Sequence, residues 1–370
     1  MPWRHCSIMA SACIAALVLI VSMLTTPAQA LSCTANNGLY CTAFADPQYA
    51  GGFNPGVGDG GFGGASNCTV THTPVVFIHG NGDSAYSLAM PPTTVSGYPA
   101  PPASVYQALK AAGYQDCEIF GVNYLNASER SLSQDNYMQE SKYQIINSFI
   151  QKVKTYTKAS QVDIVAHSLG VSQAIAAMDY SKSWGNVRRF VAIAGGLHGL
   201  QSCFYVGDAN AAAPTCGGMN IFDNWIFGNY ADSDFPGSNP WTSASSRSTS
   251  LPQTPITNPK VTFYSLNAGT HDEIMCATET DYSTCGASPL FNSAANVLAQ
   301  LDIGAGANTQ EVNWNWATGL PTSVFGGDAD GIGHFMSKNN AGAIIVQMLT
   351  TSCTGIGCAS TYASGPVTAD

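Results

Sequence analysis

A serine hydroxyl is a weak nucleophile until a base takes its proton and a strained turn presents it. The stretch QVDIVAHSLGVSQAIAAM, residues 161–178, sets Ser168 in such a place. Val162, Ile164 and Ala166 alternate as in a strand, and from about residue 171 to 180 the apolar residues follow a helical spacing. Ala166-His167-Ser168-Leu169-Gly170 then lies on the corner between the two. Small residues stand at both ends of the pentapeptide, where strand and helix nearly touch. This is the pattern of a nucleophile elbow, with Ala in place of the usual first Gly. Its chemistry would be attack on a carbonyl and acyl transfer.

A serine so placed needs a base, an acid and an oxyanion hole. Where elbows of this kind occur, the triad runs Ser, acid, His along the chain. After Ser168 only His198, His271 and His334 remain. Asp272 sits just beyond a strand pattern, where such acids belong, and the order then leaves His334, in GDADGIGHF, as the base. The acid is the more open assignment, because Glu273 adjoins Asp272 and Asp328 and Asp330 lie close to His334. Its task is to hold the imidazole tautomer and stabilise the imidazolium. The oxyanion donors would be the backbone N–H of Leu169, directly after the nucleophile, and that of Asn81 in FIHGNGD, 77–83, with Gly80 and Gly82 letting the backbone approach. His79 in that motif could be taken for a catalytic base, but it precedes the serine and is read as a brace for the loop, and it is also a candidate substrate contact.

These residues need a scaffold of parallel strands. PVVFIHG (74–80), CEIFGVNYL (117–125), QVDIVAHS (161–168), VRRFVAIAGG (187–196) and KVTFYSLNAG (260–269) read as buried strands. PPASVYQALKAAGY (101–114), opened by prolines, and YQIINSFIQKVKTYT (143–157) read as helices between them. Alternation of this kind predicts an α/β fold, a mostly parallel central sheet with helices on both faces. Residues 197–259 are too long and irregular for an ordinary connection and are expected to form a lid or a substrate-facing insertion. The segment YAGGFNPGVGDGGFGG (49–64) lacks the Gly-Lys-Ser/Thr ending of a phosphate loop and reads as a surface loop. DADGIGH begins like a calcium loop but lacks the later acid, so no metal is expected. Asn67-Cys-Thr and Asn126-Ala-Ser are glycosylation sequons.

Arg4, the apolar run SACIAALVLIVSML (11–24) and TTPAQA predict a signal peptide, 1–30, leaving a single catalytic domain at 31–370. No later segment is long and apolar enough to span a bilayer, so the expectation is a secreted monomer. Cys6 and Cys13 would leave with the signal. Cys33, Cys41, Cys68, Cys117, Cys203, Cys216, Cys276, Cys285, Cys353 and Cys358 remain, an even set that favours disulfides over zinc. Four pairs lie close in sequence (33/41, 203/216, 276/285, 353/358), which leaves 68 with 117. The net charge is −10, and only 10% of residues are charged. Such a surface disfavours nucleic acid and repels an uncharged, water-insoluble substrate little. No cofactor is implied.

Together these motifs resemble the extracellular poly(3-hydroxybutyrate) depolymerases that attack amorphous granules, a lipase-like α/β-hydrolase group without a separate substrate-binding domain. The likeness spans nearly all of 31–370. The glycine-rich 49–64 segment and ANAAAPTCGG discriminate most; the elbow and the HG motif are shared with many secreted lipases. The resemblance implies Ser168 as nucleophile, Asp272 as acid, His334 as base and Asn81 and Leu169 as oxyanion donors, in a protein that cleaves a polyester. It also implies aromatic residues that hold polymer at the site's mouth, with Tyr137 in such a position. Where the family is tyrosine-rich beside that point, this chain has Asp135 and Asn136.

Overall fold

The structure is a computed structural model. It describes residues 33–36, 41–44, 49–99, 101, 103–136, 138–197, 260–272, 274–275, 289–305, 311–315, 320–325 and 331–370, all within the compact unit Leu31–Asp370. The predicted signal peptide, nearly all of the 197–259 insertion and Tyr137 lie outside these residues.

Six strands run parallel in the middle of the main sheet: β4 (Val75–Ile78), β5 (Ile119–Val122), β6 (Val162–His167), β7 (Val187–Ile193), β8 (Thr262–Asn267) and β9 (Val297–Asp302). Two short strands, β3 (Gly61–Phe62) and β12 (Thr368–Ala369), close its edges antiparallel, giving the order β12-β9-β8-β7-β6-β4-β5-β3. The hairpins β1 (Cys33–Asn36) with β2 (Cys41–Phe44) and β10 (Glu311–Asn315) with β11 (Leu320–Phe325) stand apart from it. All five strands read from the sequence are present, because strands buried on both faces are apolar runs.

Along each strand successive side chains enter opposite layers. Val76, Ile78, Ile164 and Ala166 pack with α3 (Glu140–Thr157) and α4 (Leu169–Tyr180), through residues such as Phe149, Ile150 and Ala174. Val75, Phe77, Val165 and Val191 pack on the other side with α1 (Val105–Ala111) and α6 (Gly342–Thr350), through Leu109, Ile345 and Met348. This is the α/β-hydrolase arrangement, with helices on both faces of an open, mostly parallel sheet. Two shorter helices, α2 (Ala127–Ser131) and α5 (Met336–Asn340), flank the carboxyl ends of the strands.

Two local expectations need correction. Helix α1 is not opened by the prolines: Ser104 caps it, its hydroxyl accepting from the Gln107 N–H while the Gln107 side chain accepts from the Ser104 N–H. The glycine-rich segment is not merely a surface loop. It supplies β3 and buries Phe53 and Phe62, and a Cβ on Gly61 would lie 2.1 Å from the Gly121 carbonyl oxygen. Gly51, Gly58 and Gly64 are hemmed in by backbone in the same way, so several of its glycines serve close backbone approach.

Cys68 pairs with Cys117 and Cys353 with Cys358. Cys203, Cys216, Cys276 and Cys285 lie outside the described residues, and Cys33 and Cys41 are described only as backbone partners in the β1–β2 hairpin. Among the described residues no helix is long and apolar enough to cross a membrane, and no cluster of three metal-ligating side chains occurs.

Candidate active site

Ser168 occupies the corner between β6 and α4 with φ 53° and ψ −128°, a conformation a non-glycine residue adopts only under constraint. The constraint is visible on both sides. The Ser168 N–H donates to the Ile193 carbonyl at 2.9 Å, and its own carbonyl accepts from Val171 at 3.0 Å. Gly170 must be glycine, because a Cβ there would stand 2.3 Å from the His79 carbonyl oxygen and 2.6 Å from that of Ile78. Ala166, the departure from the usual first glycine, is fully buried between the layers.

The structure brings Ser168, His334 and Asp272 together. The Ser168 hydroxyl lies 2.9 Å from His334 Nε2, and His334 Nδ1–H donates to Asp272 at 3.0 Å (Oδ1) and 3.1 Å (Oδ2). All three are almost wholly buried. Asp272 follows a short turn at the carboxyl end of β8, and its Oδ1 accepts from the Ile274 and Met275 N–H groups at 3.0 and 2.7 Å. The acid is thus oriented by backbone as well as by the imidazole. Glu273, Asp328, Asp330 and His198 lie outside the described residues. His271 is described, one residue before the acid, and makes no hydrogen bond to Ser168.

His334 is held through its main chain. Its carbonyl accepts from Ser337 Oγ at 2.9 Å and from His167 Nε2–H at 2.9 Å. That bond fixes the His167 tautomer, leaving Nδ1 as a buried acceptor without a partner among the described residues, close to Gly80. Burial, the nearby Lys338 cation and His334 push the His167 pKa well below the usual histidine range. His167 is therefore neutral and acts as a strut.

The loop after β4 passes directly over the elbow: a Cβ on Gly80 would lie 3.0 Å from Ser168 Cβ. Of the two N–H groups named from the sequence as oxyanion donors, that of Leu169 directly follows the serine in the chain, and that of Asn81 directly follows Gly80, which packs against it. Neither donates to an acceptor among the described residues. His79 presents no surface, so it has no face for a substrate. Its ring stacks on Tyr124 at 4.4 Å and its Nδ1–H donates to the Gly80 carbonyl at 2.7 Å. Burial, the largest cause, pushes its pKa down to about 4. Its place is beneath the loop.

Sequence reasoning missed three residues of this neighbourhood: His167, Asp83 and Lys338. Lys338 Nζ lies 3.6 Å from Asp83 Oδ2, joining helix α5, just after His334, to the loop after β4. The signal was present, since a charge inside HGNGD and another inside GIGHFMSKNN are conspicuous in a chain so poor in charge.

Residues 72–235 match the class 2 lipase family, a range that holds the Asn81 loop and the elbow and ends before Asp272 and His334. No curated protein matches the chain by sequence. Among solved structures, a Bacillus licheniformis lipase in its propeptide form shares 12% identity at TM-score 0.43, over 78% of this chain and 53% of that one. Aspergillus fumigatus lipase B shares 14% at TM-score 0.35, over 62% and 43%. A Pyrobaculum calidifontis esterase shares 15% at TM-score 0.31, over 59% and 61%. The chain thus covers less than two thirds of the length of each of these proteins. The mostly parallel sheet with its elbow gives the chain an α/β-hydrolase fold, and its residues 72–235 are similar to the class 2 lipases.

Proposed function

We propose that the protein is an exported serine hydrolase that cleaves carboxylic esters through an acyl-enzyme on Ser168, with poly(3-hydroxybutyrate) in its amorphous form as substrate. The observation that carries the ester chemistry is the relay from Ser168 through His334 to Asp272, at 2.9 and 3.0 Å. His334 Nε2 takes the hydroxyl proton as Oγ attacks the ester carbonyl. The negative charge that forms on the carbonyl oxygen meets the N–H groups of Asn81 and Leu169. His334 then gives its proton to the departing alkoxide, and water, deprotonated by the same imidazole, releases the acid. Asp272 stabilises the imidazolium in both halves.

The polyester rests on the resemblance of the glycine-rich segment and the motifs around it. Low charge suits an uncharged, insoluble polymer. The class 2 lipase match favours a second reading, a triacylglycerol lipase with the same triad. Clearing of an amorphous poly(3-hydroxybutyrate) suspension, with Ser168→Ala alongside, separates the two. Clearing by the wild type alone supports the polyester. Release of fatty acid from long-chain triglyceride without clearing selects the lipase. The export signal at 1–30 and the insertion at 197–259 as a substrate-facing element belong to the same proposal.

A further inference from the structure

The Asn81 N–H can stabilise an oxyanion only if it points the right way before the charge appears. Its backbone is poorly suited to hold a direction. Gly80 precedes it, and Gly82 follows in a left-handed conformation, φ 68°. Catalytic donors need placement to about 0.5 Å, which a loop flanked by glycines does not supply unaided.

The side chain supplies what the backbone lacks. Asn81 Nδ2 donates to the Ser133 carbonyl at 2.7 Å, and Asn81 Oδ1 accepts from Asn136 Nδ2 at 2.7 Å. The second proton of Asn136 Nδ2 goes to the Glu129 carbonyl at 2.8 Å. Both backbone carbonyls only accept, so neither amide can be turned over without losing its bonds. Asn136 is 4% exposed, so the side chain that grips Asn81 is itself out of water. The segment that makes the clamp is itself anchored. Asn126 and Glu129 form a capping box on α2, and Lys142 from α3 pairs with the Glu129 carboxylate. The two stretches also touch, since a Cβ on Gly82 would sit 3.3 Å from Ser133 Cβ.

We infer that Asn136 is a positioning residue for ester hydrolysis: by gripping the Asn81 side-chain amide, buried Asn136 holds the Asn81 N–H in the oxyanion hole. The inference rests on the ester-hydrolase reading above. It gives a task to a residue that departs from the aromatic pattern of the polyester-degrading family. The amide that stands in that stretch braces the catalytic loop from behind.

The test is steady-state kinetics of the full chain on a soluble nitrophenyl butyrate, with Asn136→Asp, Asn136→Ala, Asn81→Ala and the Asn81→Ala/Asn136→Ala double variant. Asp keeps the shape of Asn136 but has no protons to give Asn81 Oδ1 or the Glu129 carbonyl. Deleting an oxyanion donor costs about 100- to 1000-fold in kcat, so a misaimed donor is expected to cost about 10- to 100-fold, with KM within about twofold. Inactivation by a phosphonate ester, whose adduct places an oxygen in the same hole, slows by the same factor. The double variant falls no further than the worse single one, because both substitutions undo one clamp. An Asn136 variant that keeps its thermal midpoint and full kcat, or that raises KM alone, overturns the clamp while wild-type hydrolysis leaves the ester reading standing. If Asn136→Ala fails to fold, Asn136→Asp and Asn81→Ala decide. A wild type that neither cleaves nitrophenyl esters nor is labelled by the phosphonate overturns the ester reading and the clamp together.

Discussion

Lys338 and Asp83 face each other as a buried ion pair, Nζ to Oδ2 3.6 Å, each side chain 2% exposed. The pair bridges the two segments that carry the candidate base and one candidate oxyanion donor. Lys338 also donates to the Phe335 carbonyl at 3.0 Å and Asp83 accepts from the Ser84 N–H at 2.7 Å, so each charge is held at its own end as well.

Breaking this pair from one side leaves the other charge buried and uncompensated, at a cost of about 3–5 kcal/mol. Lys338→Met and Asp83→Asn are each expected to lower the urea unfolding free energy on that scale. Lys338→Met with Asp83→Leu, which removes both charges, should recover more than half of the loss. Single variants that lose under about 1 kcal/mol would mean that water screens the pair and that it binds nothing together.

Strain at the elbow gives the second expectation. Ser168 at φ 53° and ψ −128° sits where only glycine is at ease, and such positions cost about 1–3 kcal/mol. Ser168→Gly should therefore be about 1 kcal/mol more stable than Ser168→Ala, net of glycine's greater chain entropy, although both lack the nucleophile. Thermal unfolding of the two variants side by side measures the difference. Equal stabilities would show that the turn is not strained by its side chain.

What the sequence could not convey follows from these same sites. Strands such as Val75–Ile78 and Val187–Ile193 were legible because burial on both faces leaves an apolar run. Ser168 and His334 were legible because the elbow's local pattern and chain order together leave few choices. The edge strand Gly61–Phe62 was not, since it is two residues long and exists by pairing with Val122 and Gly121 far along the chain. Lys338 and Asp83 stood out as charges, but that they pair was as hidden as the Asn136–Asn81 amide contact. Each joins residues distant in sequence, and nothing in local spacing marks their partners.

Acid should destabilise the fold through its buried histidines. Burial lowers the His79 pKa from 6.5 to about 4, opposed by Asp83 and the Gly80 carbonyl and reinforced by Arg130 and Lys338. The folded protein then binds fewer protons than the unfolded chain between those two values. The contribution is fully present above pH 6.5 and is lost progressively as the pH falls toward 4, about 3 kcal/mol in all. His167 is shifted in the same direction. Urea midpoints measured from pH 7 to pH 4 should fall, and His79→Gln should flatten that slope whatever its effect at pH 7. A slope unchanged in the variant would assign the acid sensitivity elsewhere.

Asp272→Asn separates orientation from charge in the relay. Oδ1 of residue 272 accepts from the Ile274 and Met275 N–H groups, so an asparagine keeps its oxygen there and turns Nδ2 toward His334 in place of Oδ2. Oδ1 lies 3.0 Å from Nδ1 as well, but it already accepts two backbone N–H groups, so the amide N–H is expected to take the Nδ1 lone pair and move the imidazole proton to Nε2. His334 then has no lone pair for the Ser168 hydroxyl. We expect kcat on a soluble nitrophenyl ester to fall about 1,000- to 10,000-fold with KM little changed, since substrate binding does not use the carboxylate. Glu273→Gln, the neighbouring acid that the sequence also offers, is expected to leave kcat within about twofold. The reverse pattern, with Asp272→Asn active and Glu273→Gln inactive, would move the acid of the relay one residue along the chain.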